Sequence, residues 1–238
     1  MSQPPPQKSP WEPLPPLAKR GLLIAVDGLD GTGLSTQTSL LCSWLAKSGH
    51  RVHATKEPTA GPAGAMIRLA LAKRLGGRAD GPGARPGLDE TALALLFAAD
   101  RADHLAQEVV PLLQQGVTVV TDRYLLSSFA YQAVHVDAEW FERVNSPFPP
   151  ADLTVYLDVS PPECMRRIHG SRWQTEKNEG VAELTRIREQ FHRALERVKA
   201  RGWRVEHLEG IDGDDADAVH RRVVKAVEGL PLPRAKRS

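Results

Sequence analysis

Five short apolar segments alternate with longer segments of helical periodicity along the chain. The apolar segments are residues 22–26, 52–55, 117–120, 153–157 and 205–208. The best of them are apolar at nearly every position, which is typical of parallel strands covered on both faces. An aspartate follows three of these segments, at Asp27, Asp122 and Asp158. We therefore predict a buried sheet with carboxylates at one edge.

The segments between the strands have the length and patterning of helices. Residues 35–48 carry a stripe of large apolar side chains and are followed by Gly49, a common helix stop. Further helices are predicted over residues 91–115, 182–200 and 214–228. Alternating strands and helices with right-handed crossovers predict an α/β fold, a doubly wound, mostly parallel five-stranded sheet flanked by helices. Ligands of such sheets bind beyond the C-terminal ends of the strands.

Composition narrows the class of protein. The chain has 238 residues, a formal net charge of +2 and 41 % hydrophobic residues, which suits a folded domain that is not held to nucleic acid by bulk charge. Two cysteines, Cys42 and Cys164, exclude a disulfide scaffold and make a structural zinc site a poor fit. No apolar run is long enough for a membrane helix, and no signal core precedes the fold. We therefore expect a cytoplasmic protein.

The two ends of the chain differ from its centre. Residues 1–20 contain seven prolines, which remove backbone donors and favour extended conformations, so they are predicted to form a disordered tail. Residues 21–230 are predicted to form one domain. Residues 231–238 have the composition of a second, basic tail.

A glycine-rich segment follows the first predicted strand and opens the first predicted helix. Its spacing matches the phosphate-binding pattern G-x-x-x-x-G-K-[ST] at Gly28, Gly33 and Ser35. Glycines allow backbone N–H groups to wrap a phosphate, and the helix N-terminus adds partial positive charge. We therefore predict that ATP phosphates bind here and that the Ser35 hydroxyl contacts Mg²⁺. The predicted phosphate-binding residues are Gly28, Asp30, Gly31, Thr32, Gly33, Leu34, Ser35 and Thr36.

The lysine of this pattern is absent, because Leu34 occupies its position. That lysine normally neutralises the phosphates during transfer. Losing one such charged contact costs ~2–5 kcal/mol, which is on the order of 30- to several-thousand-fold in rate. Either another cation fills the gap, or the chain is a weak or inactive kinase.

Three further groups of residues suit a phosphotransferase. Asp122 and Arg123 can hold Mg²⁺ and a phosphate, respectively. Phe97 and Arg101 lie four residues apart on a predicted helix and can stack on a base and bind its edge. A charged stretch at about residues 166–180 is a candidate lid that supplies cations and excludes water, and it contains Arg166, Arg167, His169, Arg172, Glu176, Lys177 and Glu179.

Five ordered segments resemble the thymidylate kinase family, whose members are P-loop nucleoside monophosphate kinases. The resemblance covers most of residues 21–228. The segments are the loop at 28–37, Thr55-Lys56-Glu57-Pro58, Leu96 to Arg101, Asp122-Arg123-Tyr124 with Ser127, Ser128, Tyr131 and Gln132, and Asp152 to Val159.

The resemblance implies a role for each matching residue. Magnesium would lie near Ser35 and Asp122, and Arg123 would orient phosphate. Phe97 would stack on thymine, Arg101 would bind its edge, and Tyr131 would help to exclude a 2′-hydroxyl. Asp30, Glu57, Pro58, Ser128 and Gln132 would complete the acceptor site. Arg172 and Lys177 are the predicted lid cations, although an arginine is more common than Lys177 in the family, and Lys56 likewise replaces an arginine.

We therefore expect an ATP- and Mg²⁺-dependent kinase that converts dTMP to dTDP, and the resemblance implies a homodimer. Two alternatives stay open: a kinase of another nucleotide or nucleoside, and a nucleotide-binding pseudokinase with a regulatory role, which Leu34 motivates. If the enzyme is active, the cation that replaces the lysine would be Arg172, Lys177 or Arg167.

Overall fold

The computed structural model describes residues 14, 16, 20–72, 74–75, 87–133, 135–169 and 177–233, without the side chains of 169 and 177–179. Within these residues a five-stranded sheet is covered by helices. The strands are β1 Leu23–Gly28, β2 Val52–Lys56, β3 Thr118–Asp122, β4 Leu153–Leu157 and β5 Val205–Leu208. The helices are α1 Leu34–Lys47, α2 Pro62–Leu71, α3 Glu90–His104, α4 Val110–Gln114, α5 Leu125–Tyr131, α6 Ala138–Asn145, α7 Pro161–His169, α8 Lys177–Ala200 and α9 Ala216–Glu228.

The sheet has the strand order β2-β3-β1-β4-β5, and every strand pair is parallel. This confirms the predicted fold class and all five predicted strands. The central strand β1 is buried at every position, and its alternate residues contribute to two different apolar clusters. Helices therefore cover the sheet on both faces, and the strand ends at one edge remain accessible to a ligand.

One predicted helix is interrupted. Residues 90–114 follow a helical path, but a π-helical turn at Leu105–Val109 separates α3 from α4. Pro111 lies in the first turn of α4, where it offers no N–H and its ring needs space next to the preceding turn. The wider π turn provides that space.

Several short helices were not predicted from the sequence. These are α2, α5, α6 and α7, and α7 covers the start of the charged stretch at 166–180. The rest of that stretch, through residue 176, lies outside the described residues, as do residues 76–86 and most of the two predicted tails. Arg20, assigned to the N-terminal tail, is buried and donates two hydrogen bonds to the carboxylate of Asp152, at 2.7 and 2.8 Å. Among the described helices, none combines the length and apolarity needed to cross a bilayer.

Candidate active site

The glycine-rich loop connects β1 to α1, as predicted. Gly31 and Gly33 have φ angles of +84° and +95°, a region that L side chains rarely adopt. Gly31 also lies against α7, since a Cβ atom there would be only 2.6 Å from the carbonyl oxygen of Cys164. The loop thus has the backbone conformation of a phosphate cradle, and α7 packs directly on it.

Leu34 begins α1 and points into the protein interior. Its side chain is 6 % exposed, belongs to the main apolar cluster and packs over Gly28. Leu34 also lines the cavity at the loop, to which it contributes apolar surface and no charge.

Ser35 and Asp122 meet at the end of the loop. The Ser35 hydroxyl donates a 2.5 Å hydrogen bond to Oδ2 of Asp122, which ends β3. Ser35 is exposed and Asp122 is half-buried, so both oxygens are accessible from the cavity at the loop. A hydroxyl and a carboxylate are the oxygen ligands that Mg²⁺ prefers, and the donor set therefore fits that ion.

A cation from α7 reaches the loop. Arg167 lines the same cavity, and its Nη1 lies 3.3 Å from the carbonyl oxygen of Thr32. Its Nε donates a 2.7 Å hydrogen bond to Glu163 one turn earlier in the helix. Arg167 is thus held next to the position at which the missing lysine would act.

Arg123 lies between the loop and a second cavity. Its guanidinium donates to the carbonyl of Gly28 at 2.8 Å, to Asp30 at 2.5 Å and to the hydroxyl of Ser127 at 3.2 Å. It also lies over the ring of Tyr131, 5.5 Å from the centroid. Burial alone would lower the pKa of Arg123, but electrostatic interactions with Tyr131, Asp30 and two further aspartates raise it above the ordinary value, so the group stays charged.

A buried aspartate fixes the backbone that carries Arg123. Arg123 has a φ of +72°, an unusual value for a residue with a side chain. Oδ1 of Asp27 accepts hydrogen bonds from the backbone N–H of Tyr124 and of Ser127 and from the Ser127 hydroxyl, at 3.3, 3.1 and 2.5 Å. Asp27 is fully buried, and this burial raises the pKa of its carboxyl.

The second cavity lies between α2, α3 and α5. All nine residues predicted for the acceptor site line it, and the half-buried ring of Phe97 forms part of its wall. Gln132 is buried there, and its Oε1 has no hydrogen-bond donor among the described residues. The complete lining is Asp30, Glu57, Pro58, Leu71, Phe97, Arg101, Arg123, Tyr124, Ser127, Ser128, Tyr131 and Gln132.

Arg101 is 1 % exposed, and most of its hydrogens are already engaged. Nε and Nη2 donate to Oε2 of Glu57 at 3.0 and 2.8 Å, Nη2 also donates to Ser128 at 2.7 Å, and Nη1 donates to Asn145 at 2.9 Å. The other oxygen of Glu57 lies 3.1 Å from Nδ1 of His104. This network fixes the floor of the second cavity. Four of the five guanidinium hydrogens take part in these bonds, and the fifth, on Nη1, does not.

Two residues line both cavities. Asp30 and Arg123 belong to the wall of the loop cavity and to that of the second cavity. Two anionic ligands, one in each cavity, would therefore meet at a guanidinium. This arrangement suits transfer of a phosphoryl group from one ligand to the other.

The structure brings nearly all of the predicted site residues together, and the side chains of the other two are not described. Arg172 lies outside the described residues, and Lys177 begins α8 but its side chain is not described. Sequence reasoning missed Asn145 and His104, which support Arg101, and the part that Asp27 plays beneath Arg123. The sequence did indicate Asp27 in one respect, because it follows a predicted strand. No feature of the sequence indicated Asn145, because α6 was not predicted.

Comparison with known proteins agrees with this geometry. The family model for thymidylate kinase matches residues 26–206. A protein of Thermococcus gammatolerans described as "Probable thymidylate kinase" is 42 % identical over 178 residues, which are 74 % of this chain and 84 % of that protein. A protein of Pyrobaculum calidifontis with the same description is 40 % identical over 209 residues, 87 % of this chain and 96 % of that protein.

Solved structures give the same result. The thymidylate kinase of Ehrlichia chaffeensis superposes with a TM-score of 0.63 at 25 % identity, over 87 % of this chain and 98 % of that one. The thymidylate kinase of Candida albicans superposes with a TM-score of 0.64 at 25 % identity, over 88 % and 92 %. The predicted family and enzyme class are confirmed: the chain belongs to the thymidylate kinase family of phosphotransferases.

Proposed function

We propose that this protein transfers the γ-phosphoryl group of ATP to dTMP, giving ADP and dTDP for nucleotide biosynthesis. The observation that carries the proposal is the meeting of two cavities at Asp30 and Arg123. One cavity contains a phosphate-binding loop and the other an aromatic ring with polar groups. Family membership supports the choice of substrates.

On the donor side, the loop from Gly28 to Thr36 holds the ATP phosphates with its N–H groups. Ser35 and Asp122 hold Mg²⁺, directly or through water, and the ion neutralises charge on the phosphates when it is bound. Arg167 provides the charge that Leu34 cannot, because it is the described cation that lines this cavity in addition to Arg123. Arg172 and Lys177 in the proposed lid are further candidates.

On the acceptor side, Phe97 stacks on the thymine ring, and the free Oε1 of Gln132 accepts a hydrogen bond from the ligand. Ser128 and Glu57 act mainly by holding Arg101 in place at the edge of the base. Tyr131 packs next to the sugar and disfavours a 2′-hydroxyl. Each of these roles is proposed from position in the cavity.

Little proton chemistry is needed for the transfer. An oxygen of the dTMP phosphate is already anionic, so it attacks the γ-phosphorus without a general base, and the bond to the bridging oxygen of ADP breaks. Bringing two anions together is the main obstacle. Arg123 bridges them, and its two hydrogen bonds to Gly28 and Ser127 hold it where both phosphates can reach.

A homodimer is proposed as the working assembly. Met66 and Leu69 lie three residues apart on α2 and are 46 % and 41 % exposed, and Leu95 on the adjacent α3 is 47 % exposed. A second copy packed on this face would cover all three side chains. We propose the cytoplasm as the site of action. We also propose that the two predicted tails lie outside the catalytic domain except at Arg20, which is buried and binds Asp152.

Turnover of purified protein with ATP, Mg²⁺ and each of dTMP, dUMP, dCMP and thymidine tests the proposal. ADP production should be fastest with dTMP and should fall strongly in Arg123→Ala. Faster turnover of another acceptor would favour the second kinase hypothesis. Binding of ATP by calorimetry without ADP production would identify a pseudokinase.

Leu34→Lys tests whether the missing lysine has been replaced. If Arg167 supplies the positive charge of the missing lysine, Leu34→Lys should raise kcat modestly at most. Leu34→Met should leave kcat unchanged because it preserves the volume and charge of the side chain. A gain approaching the several-thousand-fold upper limit given above would show that no cation had taken over.

A further inference from the structure

A second cluster of ionisable side chains lies beside β4 and the edge strand β5 of the sheet. Asp158, just after β4, is 2 % exposed at its side chain, and its Oδ2 lies 3.0 Å from Nε2 of His192 and 2.9 Å from Nε2 of His207. His192 comes from α8 and His207 from β5. One ligand atom from each of the three residues lies within 4.8 Å of the others.

The orientation of one histidine is fixed by a further carboxylate. Nδ1 of His207 lies 3.1 Å from Oε1 of Glu209. A hydrogen on Nδ1 directed at that carboxylate leaves Nε2, which faces the cluster, as the ligand atom. Metal-binding histidines commonly have such a carboxylate partner on the second nitrogen, because it sets the tautomer and the ring orientation.

An arginine now compensates the charge of the buried carboxylate. Arg188 donates from Nε to Oδ1 of Asp158 at 2.6 Å and from Nη2 to Oδ2 at 3.1 Å. Its side chain is 37 % exposed, so it can turn toward solvent without disturbing the core. A cation bound at Oδ2 would replace the weaker of these two contacts.

We propose that Asp158, His192 and His207 form a binding site for one divalent late first-row transition metal ion, such as Zn²⁺, Co²⁺ or Ni²⁺. Two imidazoles and one carboxylate are a common ligand set for such ions, and water completes the coordination. The oxygen-rich pair Ser35 and Asp122 suits Mg²⁺ instead, so the two sites differ in the ion they select.

Binding at this site would connect three separate elements. His192 is on α8, which begins within the proposed lid, whereas Asp158 directly follows β4 and His207 lies on the adjacent strand β5. A bound ion would therefore fasten the middle of α8 to the sheet edge. Metal binding here does not depend on the proposed substrates, because none of these residues lines either cavity described above.

The test is binding of Co²⁺ to full-length, tag-free protein without nucleotide, measured by visible absorption, with Zn²⁺ binding measured by calorimetry. One ion per chain should bind, and the melting temperature should rise with Zn²⁺. The double variant His192→Ala/His207→Ala should lose the Co²⁺ absorption. His53→Ala should retain it, although His53 is also paired with a carboxylate.

Two single substitutions sharpen the result. Glu209→Gln should weaken Zn²⁺ binding by roughly 10- to 100-fold if Glu209 orients His207. Arg188→Gln should strengthen it, since the competing guanidinium is removed. Absence of Co²⁺ binding by the parent protein, or absorption that is unchanged in the double histidine variant, would overturn the proposal whatever the outcome of the kinase assay.

Discussion

Arg167 Nη1 lies 3.3 Å from the carbonyl oxygen of Thr32, inside the turn of the phosphate loop. A carbonyl oxygen is a weak partner for a guanidinium compared with a phosphate. A bound phosphate would therefore compete successfully for this cation. The relationship explains how the loop can lack its lysine and still present positive charge to an anionic ligand.

Replacing Arg167 should impair catalysis more than replacing its neighbour. Arg167→Ala is expected to lower kcat with ATP and dTMP by about 30-fold or more, corresponding to a loss of ~2–5 kcal/mol. Arg166 is 67 % exposed and, within the described part of the chain, its side chain pairs with Glu163, so Arg166→Ala should stay within about twofold of the parent. Steady-state kinetics of both variants provide the comparison. Equal effects of the two substitutions would remove Arg167 from the donor site.

Phe97→Ala should weaken binding of dTMP while leaving ATP unaffected. Loss of an aromatic stacking partner for a base costs about 1–3 kcal/mol, so the KM for dTMP should rise by about 5- to 150-fold. Leu93 on the same helix is half-buried, as Phe97 is, and absent from the cavity wall, so Leu93→Ala is the matched control. A rise in the KM for ATP in place of the KM for dTMP would contradict the assignment of the acceptor cavity.

Glu57→Ala should destabilise the fold as well as the site. The substitution leaves the guanidinium of Arg101 buried without its carboxylate, which typically costs about 3–5 kcal/mol. The free energy of unfolding in urea measures the effect. Glu108 pairs with His53 at a side chain that is 39 % exposed, so Glu108→Ala should cost about 1 kcal/mol or less. If Glu57→Ala lowered the free energy of unfolding no more than Glu108→Ala does, the buried pair of Glu57 and Arg101 would not be a stabilising contact.

The stability of Asp27→Asn should increase relative to that of the parent protein as the pH rises. Burial raises the pKa of Asp27 above its ordinary value of 3.8, so the folded protein holds this proton more tightly than the unfolded chain does. Protonated Asp27 therefore adds to the free energy of unfolding of the parent protein below pH 3.8. This contribution is lost as the pH rises toward the folded-state pKa, by about 1.4 kcal/mol for each pH unit in that interval. Asparagine does not titrate and avoids that loss.

Chemical denaturation of Asp27→Asn and the parent between about pH 4 and 7 measures this difference. Asp89 provides a control of opposite sign, because hydrogen bonds from the N–H of Ala92 and from Thr91 lower its pKa. The effect of Asp89→Asn should therefore be nearly constant over this range and should shrink only when the pH falls below 3.8. A constant difference between Asp27→Asn and the parent across the range would show that Asp27 is ionised in the fold.

The strands were predictable and the short helices were not, for a physical reason. Parallel strands such as β1 and β4 are buried on both faces, so their sequences are continuously apolar. In contrast, α5 and α6 span 7 and 8 residues, too few for helical periodicity to stand out. The interruption at Leu105–Val109 depends on how Pro111 is accommodated, which periodicity does not reveal.

The same distinction applies to the site. The spacing of Gly28, Gly33 and Ser35 identified the phosphate loop because its residues are consecutive in the chain. The partners of Arg101 come from distant segments, so Asn145 could not be associated with it beforehand. The inward orientation of Leu34 likewise depends on packing with the core and was not predictable from its position in the motif.

The close approach of Cys164 to Gly31 has a kinetic consequence. A Cβ atom at residue 31 would lie only 2.6 Å from the Cys164 carbonyl oxygen, so glycine at this position is what allows α7 to pack this close to the loop. Arg167 is therefore preset before any nucleotide arrives, and its field attracts the incoming anion from a distance. Association of ATP should therefore slow as the ionic strength rises, because salt screens the attraction between Arg167 and the phosphates.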